Sequence, residues 1–524
     1  MKRKPNIVYF LVDDMGYGDV SCLNPNGKIH TPNFDRLAQE GMIFTDAHSS
    51  SAVCSPSRYG ILTGRYNWRS TLQKGIVSPY GDALIAEDRL TVPKFLKQHG
   101  YHTGVIGKWH LGMGWDFDVT EDFLPKHQYD SVPDAELEPA LRQQQLWREA
   151  FSKPTTGGPT TRGFDMYFGV DVPNWPPYCY IEDDRTVGIP TEFLQSHLLG
   201  NNLASLQGPA MPYWNFEQLL PTFARKADQY IQARAEERPF FLYLPMTSPH
   251  TPLSVNKPWI GKSGLNNLYA DLVVETDDIF GQILDSLERH DIADNTLVIF
   301  TSDNGCAPYI GTSEDGRGNG EKALEPQGHF PSAHFRGYKS DVWDGGHRIP
   351  FIARWAGVIA PGSRSDQLIC LTDLMATCAE LLNEPLPDTT GEDSISLMSL
   401  LQGDERATRD HVVHHSATGK FAIRDQRWKL VLCPGSGGWA LPDDQAAESG
   451  LPLVQLYDMH HDPAESNNLH AKHPEKVKAM VQRLKELVAA GRSTPGSPQS
   501  NDALVDIWKL DTMPGIDATL LDDY

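Results

Sequence analysis

Through the first 405 residues, short runs of consecutive apolar residues alternate with stretches whose apolar positions recur at helical spacing. The runs NIVYFLV (6–12), HTGVIG (102–107), PFFLYLP (239–245), NTLVIFT (295–301) and IPFIARW (349–355) have the length and the β-branched or aromatic content of buried strands. LYADLVVETDDIFGQILDSLERH (268–290) keeps its apolar residues on one helical face and leads into the fourth run, as a crossover helix does. This alternation predicts an α/β domain over 1–405, with a large mixed and mostly parallel sheet sandwiched by helices. The texture then changes. FAIRDQRWKLVL and PLVQLYDM read as strands, and PEKVKAMVQRLKELVAA as an amphipathic helix opening with proline, which predicts a smaller α+β unit of antiparallel sheet plus helix over 406–491. Residues 492–524, rich in Ser, Pro, Gly and Asp, read as an irregular tail. The polar segment 115–160, with DAELEPALRQQQLWREAF as a helix, reads as an insertion that either shapes a substrate mouth or is a plain surface excursion.

The composition of the 524 residues is that of an ordinary globular protein. MKRKPNIVYFLVDDMG has basic residues and an apolar run, but the run stops at two aspartates with no small-residue cleavage site, so it reads as a first strand and not as a signal peptide. No stretch is apolar enough to span a bilayer, so the chain reads as soluble with no membrane partner. Its compartment stays open: cytoplasmic as written, periplasmic or secreted if an export signal has been removed. The formal net charge of −22, without a basic stripe, argues against nucleic acid as a partner, and any anionic substrate must be drawn in by local cations. Seven scattered cysteines suggest neither a disulfide framework nor a zinc site, and at least one lies outside any internal pairing.

The polar residues gather at the ends of the strand-like runs. Asp13 and Asp14 end the first, Lys108 and His110 follow the second, His250 follows the third, and Asp303 with Asn304 end the fourth. Ligands of an open α/β sheet bind at the carboxyl ends of its strands, so groups up to about 290 positions apart are expected to converge. Three aspartates and an asparagine at one sheet edge repel each other unless a cation sits among them; an all-oxygen set suits Ca²⁺, with Mg²⁺ the second choice. Taken separately, the DD pair reads equally as a helix cap or a solvated turn.

The stretch CSPSRYGILTGR (54–65) changes the weight of these readings. It resembles the signature of the type I, formylglycine-dependent sulfatases of the alkaline phosphatase superfamily. Further segments are similar in kind and order: PNIVYFLVDDMGYGD, TPNFDRLAQEGMIF, GKWHLG, GFDMYFG, TSDNG, YKSDVWDGGHRIPFIARW and LYDMHHDPAESNNL, over about residues 5 to 470. The look is nearest to the arylsulfatase A and N-acetylgalactosamine sulfatase branch.

The resemblance implies that Cys54 is oxidised by a maturation enzyme to formylglycine (3-oxoalanine). One hydroxyl of the aldehyde hydrate then attacks sulfur, and deprotonation of the other expels sulfate and restores the aldehyde. It further implies that Asp13, Asp14, Asp303 and Asn304, with the residue at 54, hold calcium, and that Arg58 holds the hydrate and the metal-site carboxylates. Lys108 and Lys339 would bind sulfate oxygens, His110 would be the base for sulfate elimination, and His250 the acid near the leaving oxygen. The substrate this branch implies is an O-sulfated carbohydrate of the galactose type, with aryl sulfates as surrogates. Trp175, Tyr178, His347 and Arg348 are residue types suited to stacking on a sugar and bonding its hydroxyls, or else loop packing. Two alternatives stand beside this reading: a phosphate or phosphonate ester hydrolase of the same superfamily, and a non-catalytic glycan-binding relative with Cys54 unmodified. Nothing in the sequence speaks to oligomeric state.

Overall fold

A computed structural model describes residues 4–124, 138–199, 205–310, 324–406, 408–442 and 450–512. Part of the expected insertion, 125–137, and the end of the tail lie outside the described residues. The strands that build the main sheet are, in chain order, β1 (Asn6–Val12), β2 (Met42–Phe44), β3 (His102–Lys108), β4 (Met166–Val170), β5 (Ile181–Glu182), β6 (Arg185–Thr186), β7 (Phe240–Pro245), β8 (Thr296–Ser302), β9 (Phe351–Arg354) and β10 (Ser363–Ser365). They lie side by side in the order β10-β2-β9-β8-β1-β7-β3-β4-β5-β6. The central strands β8, β1, β7, β3 and β4 all run parallel. The run 349–355 also forms a strand, β9, but it pairs antiparallel with β8, so the sheet is mixed as expected.

Both faces of the sheet are covered. Alternate residues of β1 serve two separate cores: Val8, Phe10 and Val12 pack toward Phe223 of helix Leu219–Arg234 and Phe280 of helix Leu268–Arg289, while Ile7, Tyr9 and Leu11 pack toward Ile61, Leu62 and Phe95. Burial on both sides explains why these strands read as continuous apolar runs. Helix α1 (Cys54–Thr63) lies in the second layer, wholly buried. Within the insertion, residues 141–151 are helical as expected, and Trp115, Phe117, Phe123, Trp147 and Phe151 form one aromatic cluster with Tyr80.

The C-terminal part carries a four-stranded antiparallel sheet, β11 (Val412–His415), β12 (Phe421–Arg424), β13 (Trp428–Val431) and β14 (Gln455–Asp458), followed by helix α2 (Pro474–Ala490). Its core includes Tyr66, Trp68, Leu368 and Cys370 from the first 405 residues, so the two units share apolar packing. The described tail is irregular but tied down: Asp502 accepts two hydrogen bonds from Arg65 at 2.9 and 3.0 Å, and its backbone N–H donates to the Arg69 carbonyl. All seven cysteines are free, and no described helix is long and apolar enough to cross a membrane.

Candidate active site

The signature stretch folds into α1. Cys54 is its first residue and Arg58 stands one turn later, so the spacing puts both on one face. Ser57 Oγ donates to the carbonyls of Ser51 and Val53, and Ser55 Oγ accepts from Val77 N at 3.1 Å, fixing the first turn. LTGR is the helix stop. Gly64 adopts φ +65° and donates to the Gly60 carbonyl; a Cβ there would lie 2.8 Å from Met375 Cβ, so only glycine fits both the turn and the space. The first half of the signature thus brings chemistry, and the second seats the helix.

The strand ends converge on Cys54. Its Sγ lies 3.5 Å from Asp13 Oδ1, 4.0 Å from Asp14 Oδ1 and 3.5 Å from Lys339 Nζ. Lys108 Nζ meets Asp13 Oδ2 at 2.7 Å, and Lys339 Nζ meets Asp14 Oδ2 at 2.7 Å. Arg58 reaches Asp303 Oδ2 with Nε at 3.0 Å and with Nη2 at 2.9 Å, and its Nη1 donates to the Lys108 carbonyl. Asn304 Nδ2 donates to Asp14 Oδ1 at 2.7 Å. Asp14 is held at φ +69°, with its N–H on Asp303 Oδ1; the Tyr269 hydroxyl lies 3.1 Å from its carbonyl and 2.5 Å from Asp19 Oδ2. His329 Nε2 holds the other Asp19 oxygen at 2.8 Å.

Two histidines border the charges. His250 Nδ1 donates to the Thr251 carbonyl at 2.7 Å, which leaves Nε2 3.5 Å from Asp14 Oδ2. His110 Nε2 donates to the Val77 carbonyl at 3.2 Å and its N–H to Asp171 Oδ1, while its buried Nδ1 has no hydrogen-bond partner. The half-buried Trp175 meets the His110 ring edge-on, with centroids 5.6 Å apart.

Burial dominates the proton affinities here. It pushes the Cys54 thiol up to about 12, although Lys108 and Lys339 pull the other way. It drives His250 down to about 4, helped by Lys339, and His110 well below its usual range, helped by Lys108. Burial also raises Asp13, but Lys108, His250 and Arg58 outweigh it and hold that carboxyl far below normal. Asp303 goes up to about 7, because burial and the Asp13 carboxylate outweigh Arg58. Asp171 rises to about 6 by burial.

Of the residues expected at the site, Asp13, Asp14, Cys54, Arg58, Lys108, His110, His250, Asp303, Asn304, Lys339 and Trp175 are brought together. Tyr178, His347 and Arg348 are not, and their expected role in substrate contact is corrected. The Tyr178 ring is buried against Phe216 and its hydroxyl bonds the carbonyls of Asn174 and Leu206. His347 lies fully buried between His48 and Lys429, and Arg348 pairs with Asp46 at 2.6 Å and Asp344 at 3.2 Å. Both fix the seam with the C-terminal sheet. The sequence reading passed over Asp171, which ends β4 just as Asp13 ends β1, so the same strand-end rule finds it. It also missed Tyr309, six residues beyond Asp303, whose hydroxyl feels Lys339, Asp14, Cys54 and Asp13.

The donor chemistry fits a hard cation. The carboxylates of Asp13, Asp14 and Asp303 are fully buried, and Asn304 Oδ1 is a buried acceptor with no donor among the described residues. Oxygens of Asp13 and Asp14 lie within 4.8 Å of each other and of ligand atoms of Cys54 and His250.

The sequence matches the sulfatase family over residues 5–384. It is 31% identical to the N-acetylgalactosamine-6-O-sulfatase of Bacteroides thetaiotaomicron, covering 93% of each chain, and 30% identical to human arylsulfatase A, covering 93% of this chain and 87% of that one. A solved structure from work on the metabolism of multiple glycosaminoglycans by Bacteroides thetaiotaomicron superposes with a TM-score of 0.76 at 29% identity, covering 93% of this chain and 99% of that one. The phosphonate monoester hydrolase of Agrobacterium radiobacter shares the fold, with a TM-score of 0.57 at 18% identity over 93% of this chain and 96% of that one. The chain belongs to the sulfatase family and is a sulfatase enzyme.

Proposed function

We propose that the protein hydrolyses sulfate monoesters on a carbohydrate of the galactose type, with residue 54 acting as formylglycine beside a calcium ion. The observation that carries this reading is the state of Cys54. It stands first in α1 at the meeting point of two aspartates and a lysine, where a nucleophile belongs, and burial pushes its thiol up to about 12, away from the thiolate form. Converted by a maturation enzyme, position 54 would supply a hydrated aldehyde as oxygen nucleophile; Asp13, Asp14, Asp303 and Asn304 would hold calcium, whose chemistry there would be to polarise that oxygen.

The chain's own side chains do the remaining work. Lys108 and Lys339 are point charges for the sulfate oxygens and for the charge that grows there in the transition state. His250 keeps its Nδ1 proton on Thr251 and has Nε2 to carry a proton to the leaving oxygen. A bound sulfate ester raises its proton affinity from the low value of the free site. His110 keeps its Nε2 proton on Val77, so Nδ1 bears the unpaired lone pair that takes a proton. Arg58 holds Asp303 and Asp13 in register. Trp175, beside His110, offers a ring to a sugar. The galactose-type sugar is supported by the bacterial relative and by the human N-acetylgalactosamine-6-sulfatase, 30% identical over 95% of this chain and 88% of that one.

Replacing Cys54 with Ala tests this directly. Turnover of 6-O-sulfated N-acetylgalactosamine and of an aryl sulfate should fall by about a thousandfold or more, with the circular dichroism spectrum unchanged. Retained turnover in that variant rules the nucleophile assignment out.

A further inference from the structure

Trp439 stands out among the chain's twelve tryptophans: it is 51% exposed, whereas the others are buried or half-buried. A single exposed ring is ordinary on a protein surface; this one is set apart by a backbone that is pinned beside the Lys339 loop. The backbone here is rigid. The N–H groups of Trp439 and Ala440 both donate to Asp341 Oδ1, at 2.9 and 3.1 Å, and the other Asp341 oxygen accepts from Tyr338 N at 2.9 Å. Val342 N donates to the Ser436 carbonyl, and a Cβ on Gly438 would lie 2.4 Å from Asp341 Oδ1 and 2.5 Å from Ser340 O, so the loop after β13 is pressed onto the Lys339 loop.

The side chain faces Tyr309 at 5.7 Å between centroids, tilted by 46°. Tyr309 follows β8 and leads away from Asp303 and Asn304; burial pushes its hydroxyl up, and Lys339 is the strongest charge acting on it, ahead of Asp14, Cys54 and Asp13. The sheet order fixes the side. Lys339 is anchored through its N–H to the Cys306 carbonyl beside the end of β8, whereas His110 and Trp175 stand at the end of β3. Between β8 and β3 lie β1 and β7, so the two edges are three strand spacings apart, roughly 14 Å. That span is of the order of a disaccharide's length.

We propose that Trp439, backed by Tyr309, is a sugar-stacking wall on the Lys339 side of the pocket, facing Trp175 across it, and that it reads the sugar residue next to the one that bears the sulfate. This deepens and rests on the carbohydrate reading given above. An indole face matches the C–H face of a pyranose, and a ring already held by its backbone loses little freedom on binding. The C-terminal loop then sets specificity while the main sheet sets chemistry.

The test compares wild type with Trp439→Ala and Trp439→Phe on three substrates: a 6-O-sulfated N-acetylgalactosamine disaccharide, the sulfated monosaccharide and 4-nitrophenyl sulfate. Thermal melting checks each fold. Trp439→Ala should raise KM for the disaccharide about tenfold, with kcat changed far less, and should affect the monosaccharide and aryl sulfate much less; Trp439→Phe should recover most of the loss. An equal loss on all three substrates would mark a merely structural residue, and an unaltered disaccharide KM would also overturn the proposal, both leaving the carbohydrate reading standing. A wild type that cleaves the aryl sulfate and neither sugar overturns both.

Discussion

Asp303 is under pressure to hold a proton, first from its burial and then from the neighbouring Asp13 charge. It accepts from Arg58 and from the backbone of Asp14, and burial next to Asp13 still lifts its proton affinity to about 7. A divalent cation would relieve that pressure; so would loss of the charge. Asp303→Asn should weaken calcium affinity by about tenfold or more, read from the calcium-dependent rise in melting temperature. An undiminished calcium effect contradicts the ligand assignment. The sequence made this residue legible because a charged group directly after a buried strand has one place to go, and Asp13, Asp14, Lys108, His110, His250 and Asn304 were found by the same rule. It failed for Tyr178, His347 and Arg348, since residue type says what a side chain can bond and nothing about which way it points. Their partners, Leu206 for Tyr178, Lys429 for His347 and Asp46 for Arg348, lie 28 to more than 300 positions away in the chain.

At the scale of elements, the main sheet and the C-terminal sheet meet along a buried polar seam. Lys429 Nζ approaches His347 Nε2 at 3.1 Å, His347 Nδ1 and His48 Nδ1 lie 3.0 Å apart, and His48 Nε2 meets Asp46 Oδ1 at 2.7 Å. The His414 ring stacks on His347, with centroids 3.6 Å apart. Burial drives His48 down to about 4, outweighing the pull of Asp46, from an ordinary value of 6.5. The unfolded chain therefore takes up this proton first as pH falls. The stability that comes from keeping His48 neutral is complete above pH 6.5 and is lost progressively as pH falls to about 4, by at most roughly 3 kcal/mol. Asp46, held low by Arg348 and Arg424 against its burial, stays ionised across that window. His48→Asn should flatten the dependence of unfolding free energy on pH between 6.5 and 4; an unchanged slope would mean that His48 is protonated in the folded state. Local pattern could not show this seam. The other strands and α2 followed from their own periodicity, but β11 was not picked out, because half of it is histidine and His414 and His415 gave no apolar signal.

For the molecule as a whole, the α/β architecture and the order of the two sheets were readable from the alternation of apolar runs. The boundary at 405 was a change in texture, and it is crossed by the packing of Tyr66 and Trp68 into the small sheet and by Arg65 gripping Asp502 in the tail. These residues lie directly after α1, so the C-terminal part supports the helix that presents Cys54. The net charge of −22 surrounds a centre holding the buried Arg58, Lys108 and Lys339, and in the proposed function recognition of a sulfate ester rests on those cations and not on the surface. The central claim is that the reactive group at position 54 is no longer a thiol. The direct measurement is the mass of the tryptic peptide ending at Arg58, from active protein made in cells that carry a formylglycine-generating enzyme. The account predicts the mass of the aldehyde, in proportion to specific activity across preparations; full sulfate ester hydrolysis by protein whose peptide still carries the intact cysteine would contradict it.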